Sequence, residues 1–340
     1  MDPVCYHLPP DKIESSGMSE PKNLTTVFLD ADTVRPDELD MSELENAVTS
    51  LKLYGKTSGD QLMGRTEGVE CVITNKVKLD QCFFECRPQV RLVCIVATGT
   101  NNVDLAAAET HGVAVFNCRG YGTGSVAQHT LMLILTLLRS GSSYHRQVQQ
   151  GDWSRSEMFC LLNDAIRETE GLTLGIVGYG DIGREVQRLG EAFGMRTIIS
   201  ERIGSEPREG RIAFEQVVAQ SDILTLHCPL TEQTRSLMNA DRLAAMKQDA
   251  LLINTARGEL IDEAALVKAL SDGLLGGAAL DVLSQEPPPH DHPLLVAELP
   301  NLFITPHTAW ASRRARQEAV RQTAGNIHAW LGEQTLRRVV

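Results

Sequence analysis

The chain has 340 residues, 42% of them hydrophobic, a length that suits about two domains with buried cores. Its formal net charge of −12 argues against a nucleic-acid groove or an anionic membrane surface as partner. The eight cysteines (Cys5, Cys71, Cys82, Cys86, Cys94, Cys118, Cys160 and Cys228) include no CxxC pair and no supporting His pair. No metal site is therefore expected, and a reduced, cytoplasmic protein is the simplest reading.

Residues 1–22 mix Pro, Ser, Asp, Glu and Lys without an apolar core segment, which reads as a disordered lead-in and not as a signal peptide. Runs at 26–30, 69–75, 91–97 and 112–118 are strand candidates with helical stretches between them, a first αβ pattern. The most apolar stretch, Leu131 to Leu138, is too short to span a bilayer; within 125–139 it predicts a buried helix capped by Ser125. From 172 onward, strand candidates at 172–177, 196–200, 222–228, 250–255, 277–282 and 302–305 alternate with helical pieces at 181–194, 212–220, 240–247 and 262–272. Six strands joined by crossovers predict a parallel, doubly wound sheet. Asp262 is an N-cap candidate and Gly273 a stop for the last of these helices. A final helix over 312–332, with Ala319, Val320, Ala324, Ile327 and Trp330 on one face, is expected to fold back on the first αβ domain.

The strongest single signal is Gly-Tyr-Gly-Asp-Ile-Gly at 178–183. It follows the apolar run 172–177 and precedes Ile182, Val186, Leu189 and Phe193, which share a helix face. A strand reading at 197–200 then ends in Glu201, eighteen residues past Gly183. That order is the strand, glycine turn, helix, strand and acid of a dinucleotide-binding βαβ unit. Gly178 permits the tight turn, Gly180 lets backbone approach a pyrophosphate at a helix N-terminus, and Gly183 allows close helix–strand packing.

Three later segments put ionisable groups at strand ends. Arg257 follows 250–255, Asp281 and Glu286 follow 277–282, and His307 follows 302–305. In open α/β sheets ligands bind outside the carboxyl ends of strands. The combination suits carbonyl reduction. A dinucleotide supplies hydride, so the protein needs no redox residue of its own. His307 is suited to protonate a developing alkoxide, Glu286 to stabilise the imidazolium, and Arg257 to bind a carboxylate bidentately and polarise the adjacent carbonyl. Asp281 is a candidate acceptor for the nicotinamide carboxamide. Read singly, Arg257, Glu286 and His307 are each better explained as a surface arginine, a loop charge and a core histidine; together, at strand ends of a dinucleotide fold, they favour a site.

The glycine motif, His227-Cys-Pro-Leu-Thr, Asn254-Thr-Ala-Arg-Gly, the Ala279-Leu-Asp-Val…Glu-Pro segment and Thr305-Pro-His together resemble the D-isomer-specific 2-hydroxyacid dehydrogenases, over about residues 25–332. The resemblance implies Arg257, Glu286 and His307 as the catalytic trio and His307 as proton donor. It implies an α/β architecture, with a doubly wound parallel-sheet Rossmann domain for NAD at 123–309 and a smaller, flavodoxin-like αβ substrate domain from 23–122 and 310–340. A hinge and a homodimer are part of the same implication. Backbone of Thr98 and Gly99 would hold a substrate carboxylate, together with Arg257 and His307. Gly178, Gly180, Asp181, Ile182, Gly183, Glu201, Cys228, Pro229, Thr234, Thr255, Ala256, Arg257, Asp281 and His307 would contact the cofactor.

Within the family, Val96-Ala-Thr-Gly-Thr-Asn-Asn-Val-Asp, Gly120-Tyr-Gly-Thr-Gly-Ser-Val-Ala-Gln-His and His307-Thr-Ala-Trp-Ala-Ser resemble the glycerate dehydrogenase or hydroxypyruvate reductase branch. Trp310 is expected either to wall a small substrate pocket or to serve packing. Glu201 stands where the family usually has Asp; a carboxylate there accepts from a ribose 2′-OH and repels a 2′-phosphate, while Arg202 softens that repulsion. The balance favours NAD and leaves NADP open. The expected reaction is hydroxypyruvate to D-glycerate, with glyoxylate slower. Lys76 is the nearest single cation for a phosphate, whereas Thr98, Thr100 and Asn101 offer partners to a hydroxymethyl group. Two alternatives are a phosphoglycerate dehydrogenase, disfavoured because no regulatory domain is seen before 340, and a dinucleotide-sensing corepressor of the same fold, the C-terminal-binding-protein type.

Overall fold

Short β-branched and aliphatic runs, each followed by a turn and a helix, give strands that pair only in parallel, because every connection is a crossover. The computed structural model describes residues 24–340, so the expectations for 1–22 and for Cys5 lie outside the described residues. The chain divides into two compact units, one running to Arg119 and resuming over Gln317–Val340, the other Gly120–Arg316. Sequence alone placed these boundaries at 122/123 and 309/310. The difference is a few residues of loop and the first turn of the last helix.

The smaller unit holds β1 (Thr25–Phe28), β2 (Ser50–Leu53), β3 (Cys71–Thr74), β4 (Leu92–Ile95) and β5 (Ala114–Phe116). They form one sheet in the order β2-β1-β3-β4-β5, which is the flavodoxin-like order. β2 was not anticipated. It is a four-residue edge strand, largely exposed, and lacks the continuous apolar run that burial on both faces requires. The helix Arg313–Leu331 buries Ala319, Val320, Ala324 and Ile327, and beyond it Val339 donates to the Val115 carbonyl. This unit is thus built from described residues on both sides of the larger one in sequence.

The larger unit contains β6 (Thr173–Val177), β7 (Arg196–Ile199), β8 (Ile223–Leu226), β9 (Leu251–Asn254), β10 (Gly277–Leu280) and β11 (Leu302–Ile304), ordered β11-β10-β9-β8-β6-β7. The strand order reverses between β6 and β8, the switch point where such sheets open a crevice. β6 runs to Val177 as its apolar run does, whereas β7 to β11 each stop one or two residues short, because the last residues leave the ladder and turn toward the sheet edge. Asp262 caps the helix Glu263–Ser271 by accepting from the Ala265 N–H at 3.0 Å, and Gly273 follows in the left-handed region.

Two local expectations fail. The buried helix spans Thr123–Leu138 with Gly122 at its N-cap, and Ser125 sits inside its first turn, donating to the Ala309 carbonyl. Phe193 is exposed. The buried stripe of the helix Asp181–Ala192 is Gly183, Val186 and Gly190, with Ile182 and Leu189 flanking it. Small residues win at those positions because the helix presses on the sheet. A Cβ on Gly183 would lie 2.2 Å from the Gly178 carbonyl oxygen. Gly183→Ala should therefore destabilise the protein by about 1–3 kcal/mol through overpacking, read as a lower denaturation midpoint; an unchanged midpoint would mean that the helix is free to move away.

Candidate active site

All six strands of the larger unit end at one edge, and the predicted residues line up along it. Gly178 follows β6, Glu201 follows β7, Cys228 follows β8, Arg257 follows β9, Asp281 and Glu286 follow β10, and His307 follows β11. A cleft of about 560 Å³ opens at the β6, β7 and β8 ends, within the usual range for a ligand site. Of the predicted cofactor residues, Gly178, Gly180, Glu201, Cys228, Pro229 and Thr234 line it. Gly178 has φ +96°, and its missing Cβ would fall 2.4 Å from the Cys228 backbone nitrogen. Gly180, at the N-cap of the helix Asp181–Ala192, faces open space. Backbone pressed close on one side, open on the other and backed by a helix N-terminus fits a dinucleotide pyrophosphate. Asp181 lies exposed in that first turn, and Ile182 is half-buried behind it.

Several predicted residues use their side chains to build the walls. The Thr234 hydroxyl donates to the Pro229 carbonyl at 2.8 Å and accepts from the Thr231 N–H, closing the loop after β8. Thr255 shares a hydrogen bond with Thr130, and the Ala256 N–H is held by Asn254. Burial pushes the Cys228 thiol up to about 11, so this wall carries no thiolate at neutral pH.

Glu201 departs from expectation. Its carboxylate is not presented to the cleft as a free acceptor: it takes Nε and Nη2 of Arg208, both at 2.6 Å, and the Arg202 N–H at 2.8 Å. A bidentate guanidinium seven residues along is a stronger partner than a hydroxyl.

The three residues expected to form the catalytic trio follow β9, β10 and β11, which are neighbours. His307 Nδ1 lies 2.5 Å from Glu286 Oε2, and Glu286 Oε1 accepts from the Leu283 N–H at 2.9 Å. The local turn thus fixes the carboxylate, and the carboxylate fixes the ring with Nε2 pointing away from it. Arg257 is half-buried, with Nη1 donating to the Ala256 carbonyl. The next residue, Gly258, is pressed against the backbone of Leu283 and Ser284, where a Cβ would meet the Leu283 carbonyl carbon at 1.9 Å. That contact locks the Arg257 turn onto the loop that carries Glu286.

Asp281 is 1% exposed, and its carboxylate is occupied within the protein. It accepts from the Thr305 hydroxyl (2.5 Å) and from the N–H groups of Thr308 (2.9 Å) and Ala309 (2.8 Å). Its own carbonyl accepts from the His307 N–H at 2.9 Å. His307 itself has φ +55°, a strained setting for a non-glycine residue, and these bonds maintain it. His129, which the sequence did not single out, places Nε2 3.0 Å from Thr305 Oγ1 and 3.4 Å from Asp281 Oδ1. Burial outweighs the nearby Asp281 and lowers the His129 pKa, which favours the neutral ring. Because Thr305 donates to Asp281, His129 Nε2 must carry the proton. Trp310 donates its indole N–H to the His307 carbonyl at 3.0 Å and meets Tyr121 edge to face. Its described role is to brace this loop.

In the smaller unit the β4 end carries Thr98, exposed, and Gly99, half-buried. Their N–H groups have no protein acceptor among the described residues, which fits a carboxylate seat. Asn117, another residue missed from sequence, fixes this turn by donating Nδ2 to the Thr98 carbonyl at 2.8 Å. At the β3 end, Asp30 gathers the N–H groups of Asn75, Lys76 and Val77. Asn75 Nδ2 is the one buried side-chain polar atom without a hydrogen-bond partner among the described residues.

Comparison with known proteins agrees with this geometry. The family model described as "D-isomer specific 2-hydroxyacid dehydrogenase, NAD binding domain" matches residues 131–309. The chain belongs to the D-isomer specific 2-hydroxyacid dehydrogenase family. It is an NAD(P)-dependent oxidoreductase that converts a 2-oxo acid to a 2-hydroxy acid. It is 46% identical to a "Putative 2-hydroxyacid dehydrogenase" of Haemophilus influenzae, over 82% of this chain and 89% of that protein. It is 40% identical to the "Glycerate dehydrogenase" of Methylorubrum extorquens, over 90% and 95%. Among solved structures, the TT0316 protein of Thermus thermophilus superposes with a TM-score of 0.82 at 32% identity, covering 93% of this chain and all of that one. No helix among the described residues is long and apolar enough to cross a membrane.

Asp281→Asn should remove one buried acceptor oxygen and aim an N–H₂ at backbone N–H groups. We expect a stability loss of about 1–3 kcal/mol and a lower kcat; thermal denaturation and steady-state kinetics that match wild type would show that the loop holds without this carboxylate.

Proposed function

We propose that the protein reduces hydroxypyruvate to D-glycerate, with Arg257, Glu286 and His307 as its catalytic residues. The observation that carries this reading is the 2.5 Å contact of His307 Nδ1 with Glu286 at the end of β11. When bound, the dinucleotide supplies the hydride. Glu286 holds Nδ1 of the ring and stabilises its charged form, so His307 Nε2 faces the reacting oxygen and delivers the proton. The Arg257 guanidinium binds the substrate carboxylate and polarises the neighbouring carbonyl. Within the smaller unit, the N–H groups of Thr98 and Gly99 are donors suited to a carboxylate. Asp281 acts from beneath the site, holding the His307 loop in its strained conformation.

The choice of substrate rests on two supports. Relatives that are 40% and 33% identical bear the names "Glycerate dehydrogenase" and "Hydroxypyruvate reductase". The loops after β3 and β4 carry no arginine and two exposed lysines, Lys76 and Lys78, among several neutral polar groups, and the unpartnered Nδ2 of Asn75 is a donor suited to a hydroxymethyl group. We read the protein as a cytoplasmic homodimer. The exposed Trp153, Met158, Phe159, Leu162 and Ile166 cluster in one segment, an apolar surface of the kind that subunit contacts cover.

His307→Ala should lower kcat on the order of 10²–10⁴-fold while dinucleotide binding persists. Near-normal turnover by the variant would remove His307 from the mechanism. In competition assays kcat/KM should rank hydroxypyruvate above glyoxylate, pyruvate and phosphohydroxypyruvate. A higher value for phosphohydroxypyruvate or pyruvate would defeat the substrate assignment.

A further inference from the structure

We infer that Arg208, with Arg202 and Arg211, forms a seat for the phosphate on the adenosine ribose of NADP(H), and that Glu201 anchors this seat instead of accepting from a ribose hydroxyl. The inference deepens the dinucleotide-dependent reading above and rests on it. It starts from the saturation of Glu201. That side chain ends β7, is 3% exposed, and receives both inner N–H groups of the Arg208 fork, the backbone N–H of Arg202 and, at 3.3 Å, that of Arg208. Arg211 Nη1 adds an ion pair at 3.5 Å. A carboxylate has about four acceptor positions, and these contacts fill them. The Arg208 guanidinium accordingly holds the Glu201 carboxyl well below the usual carboxylate range. Nothing remains to select a 2′-OH.

The positive side is not saturated. One carboxylate meets two guanidiniums, those of Arg208 and Arg211, and Arg202 lines the same cleft, so three arginines against one acid leave two net positive charges on the wall that also contains Gly180 and Ser200. Arg208 spends Nε and one Nη2 hydrogen on Glu201 and retains the outer N–H groups of the fork on a side chain that is 58% exposed. Arg202 is exposed at the same strand end. The acidic residues of the intervening loop, Glu206 and Glu209, are exposed and do not line the cleft. A dianionic phosphate ester is the ligand that outward-facing guanidinium forks match in charge and geometry. Glu201 keeps Arg208 oriented before any ligand arrives, which lowers the ordering cost of binding.

The test is calorimetric binding of 2′,5′-ADP against 5′-AMP, which differ only in the 2′-phosphate, together with NADPH against NADH. Wild type should bind the 2′-phosphorylated member of each pair at least ~10-fold more tightly, and the gap should narrow as salt is raised. Arg208→Gln should weaken NADPH and 2′,5′-ADP by ~10- to 100-fold and shift NADH by less than ~3-fold. Arg211→Gln should act in the same direction, and serves if the first variant does not fold. Equal or tighter binding of 5′-AMP in wild type overturns the inference. So does an equal loss of both members of a pair in both variants, which would make Arg208 a loop brace. If wild type binds NADH but shows no preference for the 2′-phosphate, only this inference falls; if it binds neither dinucleotide, the function proposed above falls with it.

Discussion

A buried carboxylate that must find donors organises the catalytic edge. Asp281 leaves β10 inside the protein, where an unpaired charge is costly, and the available donors are the Thr305 hydroxyl and the N–H groups of the following turn. Satisfying them bends residues 305–309 around the Asp281 side chain. That bend puts His307 into the left-handed region and aims its ring at Glu286. His307 is therefore placed by the need to satisfy an acid that does not touch it through its own side chain. His129 and Trp310 close the same arrangement from two further sides. Gly258, pressed against the backbone after β10, ties the Arg257 turn to it.

Much of this was legible in the sequence because it depends on local pattern. The glycine turn at 178–183, the strand and helix that flank it, and the ionisable residues just past strands β9, β10 and β11 are all spacing signals. The parallel topology then brings those strand ends to one edge without further information. What escaped depends on partners distant in sequence or on aperiodic loops. Arg208 lies in a stretch without periodicity, so its capture of Glu201 left no signal that distinguished it from any surface arginine. Asn117 and His129 act through single side-chain contacts with Thr98 and Thr305. The edge strand β2 is largely solvent-exposed and carries too little apolar character to stand out. Phe193 illustrates the opposite error. A large apolar residue in helical register reads as core, yet the tight helix–sheet contact admits only Gly183, Val186 and Gly190.

The cofactor wall has the same logic in electrostatic terms. A single acidic residue at the end of a second strand carries different meanings depending on whether its carboxylate is open or already occupied, and sequence records only its presence. Here the acid and the two arginines paired with it act as one unit with a net positive charge, so the residue cannot be interpreted apart from the loop that follows it.

The split build of the smaller unit also bears on how the chain is assembled during synthesis. Asn326 donates to the Asn117 carbonyl across 209 residues of sequence, and the 339–340 segment pairs with β5. Every strand of the larger unit emerges between those partners, so that unit has all its pieces before the smaller one does. Domains generally fold as they are completed on the ribosome. The larger unit then serves as a tether that replaces a long floppy loop with a compact body, and so cuts the entropic penalty of joining the two distant segments. Until that joining, β5 has an open edge and the apolar faces that meet the last helix stay wet. The interval between the two events is when this chain is most exposed to aggregation and to proteolysis.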